Sequence, residues 1–263
     1  MKFGIHIGHM GGPLGEMRKL WKFADAKGFD WFSVSDHFQE SPPRGGLGAG
    51  WHDVEAKAYG FPFPSIGPRE DMLEEYAQIM RLLLDPEQSR ATFEGKHFRV
   101  VDAPNNPKPL QPRIPIWIGG RGEKRTLRAA AKYADGWNGA YIGPDDWKHK
   151  SQVLDQWCEK EGRDPKTIMR TVNLGFYLGA DAQGAARGEA AYQRHYGGRS
   201  DGRQNRTGFL RGTPKDVIDM VGEYRDAGCS RLNIALREGP YDWDALHAYA
   251  EHVLPAFGVR KPS

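Results

Sequence analysis

Two short stretches hold the residue types most suited to chemistry. Ser35-Asp36-His37-Phe38 places an acid and an imidazole side by side. Arg44-Gly45-Gly46-Leu47-Gly48-Ala49-Gly50-Trp51-His52 follows almost at once, with glycines that admit a close ligand and a second imidazole at His52. Histidine titrates near neutrality, so His37 is either a general base or ligand-carbonyl partner, or a histidine satisfied by its own loop. His6 stands in the first strand-like segment, facing either a barrel mouth or the core. Two further glycine turns open helix-like segments, the first directly after a strand-like one. Gly119-Gly120-Arg121-Gly122 offers backbone N–H groups and a guanidinium to an anion, or is a tight turn without a ligand. Gly212-Thr213-Pro214 opens another helix, where Thr213 caps and Pro214 takes the first helical position. Capping alone explains that turn, although a phosphate site near the last strands is common in (β/α) barrels.

The elements that must position these residues alternate. Strands are expected at Lys2–Gly8, Trp31–Ser35, a stunted Leu47–Trp51, Ile116–Ile118, Gly136–Ile142, Arg170–Leu178 and Arg231–Leu236, seven in all. Helices are expected at Leu14–Ala26, Glu70–Leu84, Glu123–Tyr133, Asp145–Glu161, Ala185–Tyr196, Pro214–Ala227 and Trp243–Phe257, from apolar residues at helical spacing. A small hairpin turns at Glu94-Gly95-Lys96. Ala58–Pro68 reads as a loop, and Gly197–Arg206 as a Gly/Arg-rich loop. Strands alternating with helices imply α/β architecture with a parallel sheet. Strand ends rich in Gly, Asp, His and Asn suit the site-bearing face of a (β/α) barrel.

Composition narrows the functional classes. The chain has 263 residues, 27% of them charged, with a net charge of +3 and interleaved signs, so nucleic acid is not an expected partner. No apolar run approaches the ~18 residues of a membrane span. The N-terminus alternates like a strand and lacks the apolar core of a signal peptide. Cys158 and Cys229 form no metal or redox pattern, so a reduced, cytoplasmic protein is expected. No G-x-S-x-G, no H-E-x-x-H and no Cys/His cluster appears, which disfavours hydrolase and zinc chemistry.

Taken in order, Gly46 to His52, Ala58-Tyr59-Gly60, Ala91 to Phe98, Pro107-Lys108-Pro109, Pro115 to Gly120 and Arg128 to Asn138 resemble the bacterial luciferase-like oxidoreductases. The resemblance is to the branch that uses the deazaflavin coenzyme F420, and Lys2 to Phe38 is similar too. It implies one TIM-like (β/α) barrel domain over residues 1–263, binding a flavin or deazaflavin at its C-terminal face. Hydride then moves between F420 and a small organic substrate, with an FMN monooxygenase or a non-catalytic flavin- or deazaflavin-binding protein as alternatives. Carried over, Asp36 and His37 line the cofactor and substrate pocket, and His37 is the catalytic base. Gly48, Gly50 and His52 pass beside the ring system. Gly119, Gly120, Arg121 and Gly122 hold the cofactor phosphate, with Gly212 and Thr213 as a weaker match on the phosphate side. No metal is implied.

The chain also departs from that family. A parallel crossover needs a dozen or more residues, and Gln39 to Pro43 cannot supply them. The barrel is therefore expected to be shortened between about 39 and 46 by about two βα units, roughly 50–60 residues, with the third strand and most of the fourth missing. The bulged strand that backs the ring would lie in the missing part. Ala49 stands where the sugar-phosphate enzymes carry an acid, which argues against that substrate. Open strand edges need cover, so a homodimer or larger assembly is expected, with segments exchanged between copies as one route.

Overall fold

In the computed structural model, residues 1–7, 13–34, 50, 53–197, 208–236 and 241–259 are described. The elements run β1 (Lys2–Ile7), α1 (Leu14–Ala26), β2 (Trp31–Val34), α2 (Asp53–Ala58), α3 (Ile66–Leu84), β3 (Arg90–Glu94), β4 (Arg99–Pro104), β5 (Trp117–Gly119), α4 (Thr126–Tyr133), β6 (Gly136–Ala140), α5 (Pro144–Lys160), β7 (Met169–Leu178), α6 (Ala182–Tyr196), β8 (Phe209–Gly212), α7 (Pro214–Asp226), β9 (Arg231–Leu236), α8 (Trp243–Ala248) and α9 (Leu254–Ala256). They form two compact units. One comprises Met1–Gly45, Gly139–His149 and Arg170–Ser263; the other comprises Gly46–Asn138 and Lys150–Met169.

In the first unit the strand order is β2-β1-β9-β7, every pair parallel. That is the α/β arrangement expected from the alternation of elements. β9 pairs with Val172–Gly175 of β7, and β8 pairs with Gly175–Leu178. β8 is an addition to the expected strands: Phe209-Leu210-Arg211-Gly212 is too short to show alternation, and only its pairing reveals it. Alternation sorts the longer strands. Phe3, Ile5, Ile7, Val172, Leu174, Leu232 and Ile234 are fully buried. Each contributes roughly 1.5–3 kcal/mol through burial. Phe3 meets Tyr249 edge-on, with ring centroids 6.2 Å apart. The opposite face carries Gly4, His6, Ser33, Asn173, Gly175, Asn233 and Ala235, at matching register.

The closing helix is interrupted. A π-helical turn, Tyr249–Val253, separates α8 from α9. Pro255 has no N–H for the Glu251 carbonyl, and the widened turn lies directly before it.

In the second unit β5 and β6 pair in parallel, with Trp117 opposite Gly136 and Gly119 opposite Asn138. β3 and β4 form the expected hairpin. Glu75 of α3 holds its turn, accepting from the N–H groups of Lys96 at 2.8 Å, His97 at 3.0 Å and Phe98 at 2.9 Å. Burial opposes the Glu75 charge, but these donors outweigh it and hold its pKa below the ordinary carboxylate value. Asp135 takes Arg81 of α3, Arg113 at 2.9 Å and the Ile116 N–H at 2.8 Å, which fixes the entry to β5. α3 starts four residues earlier than expected because Pro68 falls in its first turn, where the missing N–H costs nothing. α2 was expected to be loop only at its last residue; its body, Asp53–Lys57, is a short helix with a Lys57–Asp53 pair at 3.0 Å. Glu123–Arg125 form a turn, so α4 begins at Thr126 rather than Glu123.

Among the described residues, no helix is long and apolar enough to cross a membrane.

Candidate functional site

The turn from β5 to α4 is built from glycine backbone. Gly120 has φ +137, a region that side chains rarely adopt. Its N–H donates to the Asn138 carbonyl at 3.2 Å, and its carbonyl accepts from the Trp137 indole at 2.9 Å. Cβ atoms at Gly120 and Gly122 would meet Thr126, at 2.8 Å from its methyl and 2.7 Å from its hydroxyl. Leu127 N–H returns to the Gly122 carbonyl at 2.9 Å. No side chain caps α4. The start of α4 thus carries the partial positive charge of a helix end with no side-chain acceptor among the described residues.

Neighbouring charges are mostly committed. Arg125 pairs with Asp71 and lies 3.6 Å from Glu74. The Arg125 hydrogen bond, followed by that of Lys96, pulls the Asp71 pKa down to about 2. Glu123 binds Lys150 at 2.8 Å. Arg121 and Lys124 are exposed and form no ion pair among the described residues. They are the cations at this turn that remain able to meet a ligand.

The start of α3 gathers two candidate segments of the same unit. Arg69 donates to the Gly50 carbonyl and stacks on Phe63, 4.2 Å from the ring centroid. Glu70, the next residue, is only 7% exposed. It accepts from the Thr126 hydroxyl at 2.8 Å. Its Oε2 is buried without a hydrogen-bond partner among the described residues.

Gly212 and Thr213 belong to the other unit. Gly212 has φ +97, and a Cβ there would lie 2.6 Å from an Asp216 oxygen. Thr213 donates its hydroxyl to Asp216 at 2.7 Å and its N–H at 2.8 Å, closing a capping box. Those two bonds, the hydroxyl foremost, lower the Asp216 pKa. A carboxylate thus occupies the end of α7 that an anion would use. Just before it, Arg211 is buried, stacked on Tyr192 with 4.0 Å to the centroid and paired with Glu189 at 3.1 Å.

On the polar face of the first unit, His6 Nδ1 and Ser33 Oγ lie 3.0 Å apart. Asn233 donates to the Asn173 side-chain carbonyl at 2.6 Å, and both residues are buried. The Trp31 indole and the Asn233 side chain fill the space a Cβ on Gly4 would need.

Asp36, His37, Gly48 and His52 lie outside the described residues, as do most of the stunted strand and residues 39–46 where the shortening is expected. Gly50 is tied to α3 through Arg69, and the Gly119–Gly122 turn is tied to α3 through Glu70 and Thr126. Sequence reading missed Arg69, Glu70 and Thr126, as well as the Asn173–Asn233 pair. A charged Arg-Glu at a helix start offers no signal beyond a solvated turn. The two asparagines stand on separate strands whose register aligns them. Among the described residues, no group of three or more His, Cys, Asp or Glu side chains is placed to hold a metal.

Residues 44–231 match the family described as luciferase-like monooxygenase. A 102-residue stretch is 34% identical to an uncharacterised protein of Mycobacterium tuberculosis, covering 39% of this chain and 34% of that protein. A 91-residue stretch is 34% identical to the F420-dependent glucose-6-phosphate dehydrogenase of Intrasporangium calvum, covering 35% of this chain and 26% of that enzyme. The alignments to curated relatives thus span about a third of their length or less. An F420-dependent secondary alcohol dehydrogenase, solved with an F420–acetone adduct, superposes with a TM-score of 0.77 at 18% identity over 98% of this chain and 99% of its own. At that identity the likeness shows the fold alone.

Proposed function

The chain belongs to the luciferase-like monooxygenase family, and from that premise we propose that it moves hydride between the deazaflavin coenzyme F420 and a small organic substrate. The observation that carries the reading is the glycine turn after β5, whose helix has no side-chain cap and whose Arg121 is exposed and forms no ion pair among the described residues. A phosphate-bearing cofactor suits that chemistry, and the match to an F420-dependent dehydrogenase supports the deazaflavin.

When bound, F420 supplies a ring that takes up or releases hydride. The residues of this chain bind and orient. Gly119, Gly120 and Gly122 let the phosphate approach the backbone closely, with the Gly120 N–H itself held by the Asn138 carbonyl, and Arg121 adds charge-assisted hydrogen bonds. At Gly212 and Thr213, Asp216 already takes the Thr213 N–H and hydroxyl. Asp36 and His37 line the pocket. His37 takes the proton from a substrate hydroxyl onto an imidazole nitrogen and returns it in the reverse direction. Gly48, Gly50 and His52 border the ring system. Ala49 supplies no acid for a sugar phosphate.

The same reading includes a barrel shortened between about 39 and 46 and completed by a second copy. Among the described residues β2 pairs only with β1, and Val34 is 47% exposed, as an edge awaiting cover would be. One observation favours a second reading: Gln39 to Pro43 leave no room for a ring-backing strand. A protein that binds flavin or deazaflavin without turnover fits that loss.

A titration with F420 and with FMN, followed by fluorescence, tests both readings when sedimentation is measured in the same buffer. F420 binding by a dimer, with bleaching or colouring on addition of a candidate alcohol, supports the first. Binding without redox change supports the second. Preference for FMN points to a monooxygenase, and binding of neither cofactor rejects all three.

A further inference from the structure

We propose that Glu70 makes the Gly119–Gly122 turn select a phosphodiester over a phosphate monoester, an inference that rests on the cofactor reading above. The Glu70 side chain reaches from α3 to the helix-opening residue of α4, 2.8 Å from the Thr126 hydroxyl. A Cβ on Gly122 would lie 3.8 Å from its Oε1. Its other oxygen is buried and has no hydrogen-bond partner among the described residues. No cation neutralises it among the described residues. Arg125 is engaged by Asp71 and Glu74, and Asp71 also takes Lys96 and lies 3.5 Å from His97. Glu123 is paired with Lys150, and Arg69 donates to Gly50. Arg121 and Lys124 are exposed on the turn. A buried carboxylate that lacks a counter-charge is costly. Bringing a second anion beside it raises that cost with every additional unit of charge.

Phosphate esters differ in the relevant way. A monoester such as FMN carries close to two negative charges above its second ionisation, near pH ~6. A diester such as that of F420 carries one at every working pH. Below that ionisation the monoester is a monoanion, equal in charge to the diester. The turn should therefore accept the diester throughout and the monoester chiefly in its protonated form. A turn governed by Arg121 and Lys124 alone would show the reverse, binding the dianion more tightly.

The experiment is a fluorescence titration of the full chain with FMN, F420 and phosphate-free riboflavin at pH 5.5 and pH 8. It compares the parent with Glu70→Gln and Thr126→Val. The parent should bind FMN about tenfold more weakly at pH 8 than at pH 5.5, while F420 and riboflavin move by less than about twofold. Glu70→Gln retains the acceptor for Thr126. It should abolish the FMN pH dependence and improve FMN about tenfold relative to F420 at pH 8. Thr126→Val keeps the charge and should retain the parent's preference. An unchanged FMN-to-F420 ratio in Glu70→Gln overturns the inference, as does a Thr126→Val variant that loses the preference. Tighter FMN binding by the parent at pH 8 also overturns it, and this arm decides alone if Glu70→Gln does not fold. F420 binding with an unchanged ratio leaves the cofactor reading standing. If neither cofactor binds the parent, the cofactor reading fails and this inference fails with it.

Discussion

Replacing Gly120 by alanine tests whether the β5–α4 turn is dictated by packing. Two costs combine. At φ +137 an L side chain is strained by about 1–3 kcal/mol. The new Cβ would also lie 2.8 Å from the Thr126 methyl, well inside contact distance. Overpacking of that kind costs about 1–3 kcal/mol. Allowing for local relaxation, Gly120→Ala should lose about 2–4 kcal/mol in total. Thr126→Ser removes the offending methyl and keeps the hydroxyl bond to Glu70. On its own it should cost about 0.8 kcal/mol, one buried methyl. In the double variant the clash disappears and the backbone strain stays. A coupling of about 1 kcal/mol in favour of the pair is expected. Urea unfolding followed by tryptophan fluorescence is the assay, since the Trp137 indole donates to the Gly120 carbonyl and reports on this turn. A Gly120→Ala protein within about 0.5 kcal/mol of the parent would falsify the packing argument. Absence of coupling with Thr126→Ser would locate the cost in the backbone alone.

Three further outcomes follow from the geometry. Arg121→Ala should weaken F420 about tenfold at low salt and much less at high salt, leaving riboflavin unaffected; equal loss for both ligands would detach Arg121 from the phosphate. The folded pKa values of Asp71, about 2, and Glu75, below its ordinary 4.5, are depressed. Their stabilisation is thus complete above about pH 4–5 and is lost as pH falls toward 2. Hydrogen exchange at Lys96, His97 and Phe98 should accelerate over that window at fixed intrinsic rate, and protection that persists to pH 2 would contradict it. Asn173→Leu should cost about 1–3 kcal/mol by stranding the buried Asn233 amide, while the Asn173→Leu/Asn233→Leu pair should cost less than the single change. Thermal or urea unfolding of the two proteins decides, and a costlier pair would refute the argument.

Local residue patterns determined much of the fold. α1 and β9 start and stop where the pattern of apolar residues and glycine stops placed them, because each is long enough to show its period. The hairpin and the parallel alternation were equally legible. β8 was not, since four residues show no period and pairing with β7 alone defines it. The early start of α3 and the π-turn near Pro255 escaped for a related reason. A proline reads as a breaker in sequence, yet a first turn or a widened turn absorbs it.

The candidate site divides in the same way. Sequence by itself identified Gly119-Gly120-Arg121-Gly122 as a strand-to-helix turn and Gly212-Thr213 as a helix opening, because glycine and capping chemistry are local. Only the tertiary structure decided that Asp216 fills the second turn, while the first is uncapped and overlooked by a buried Glu70. Glu70 and Thr126 are 56 positions apart, as Arg69 and Gly50 are 19 apart. Charge and burial at such distances depend on which helix lands beside which turn, and no window of sequence carries that information.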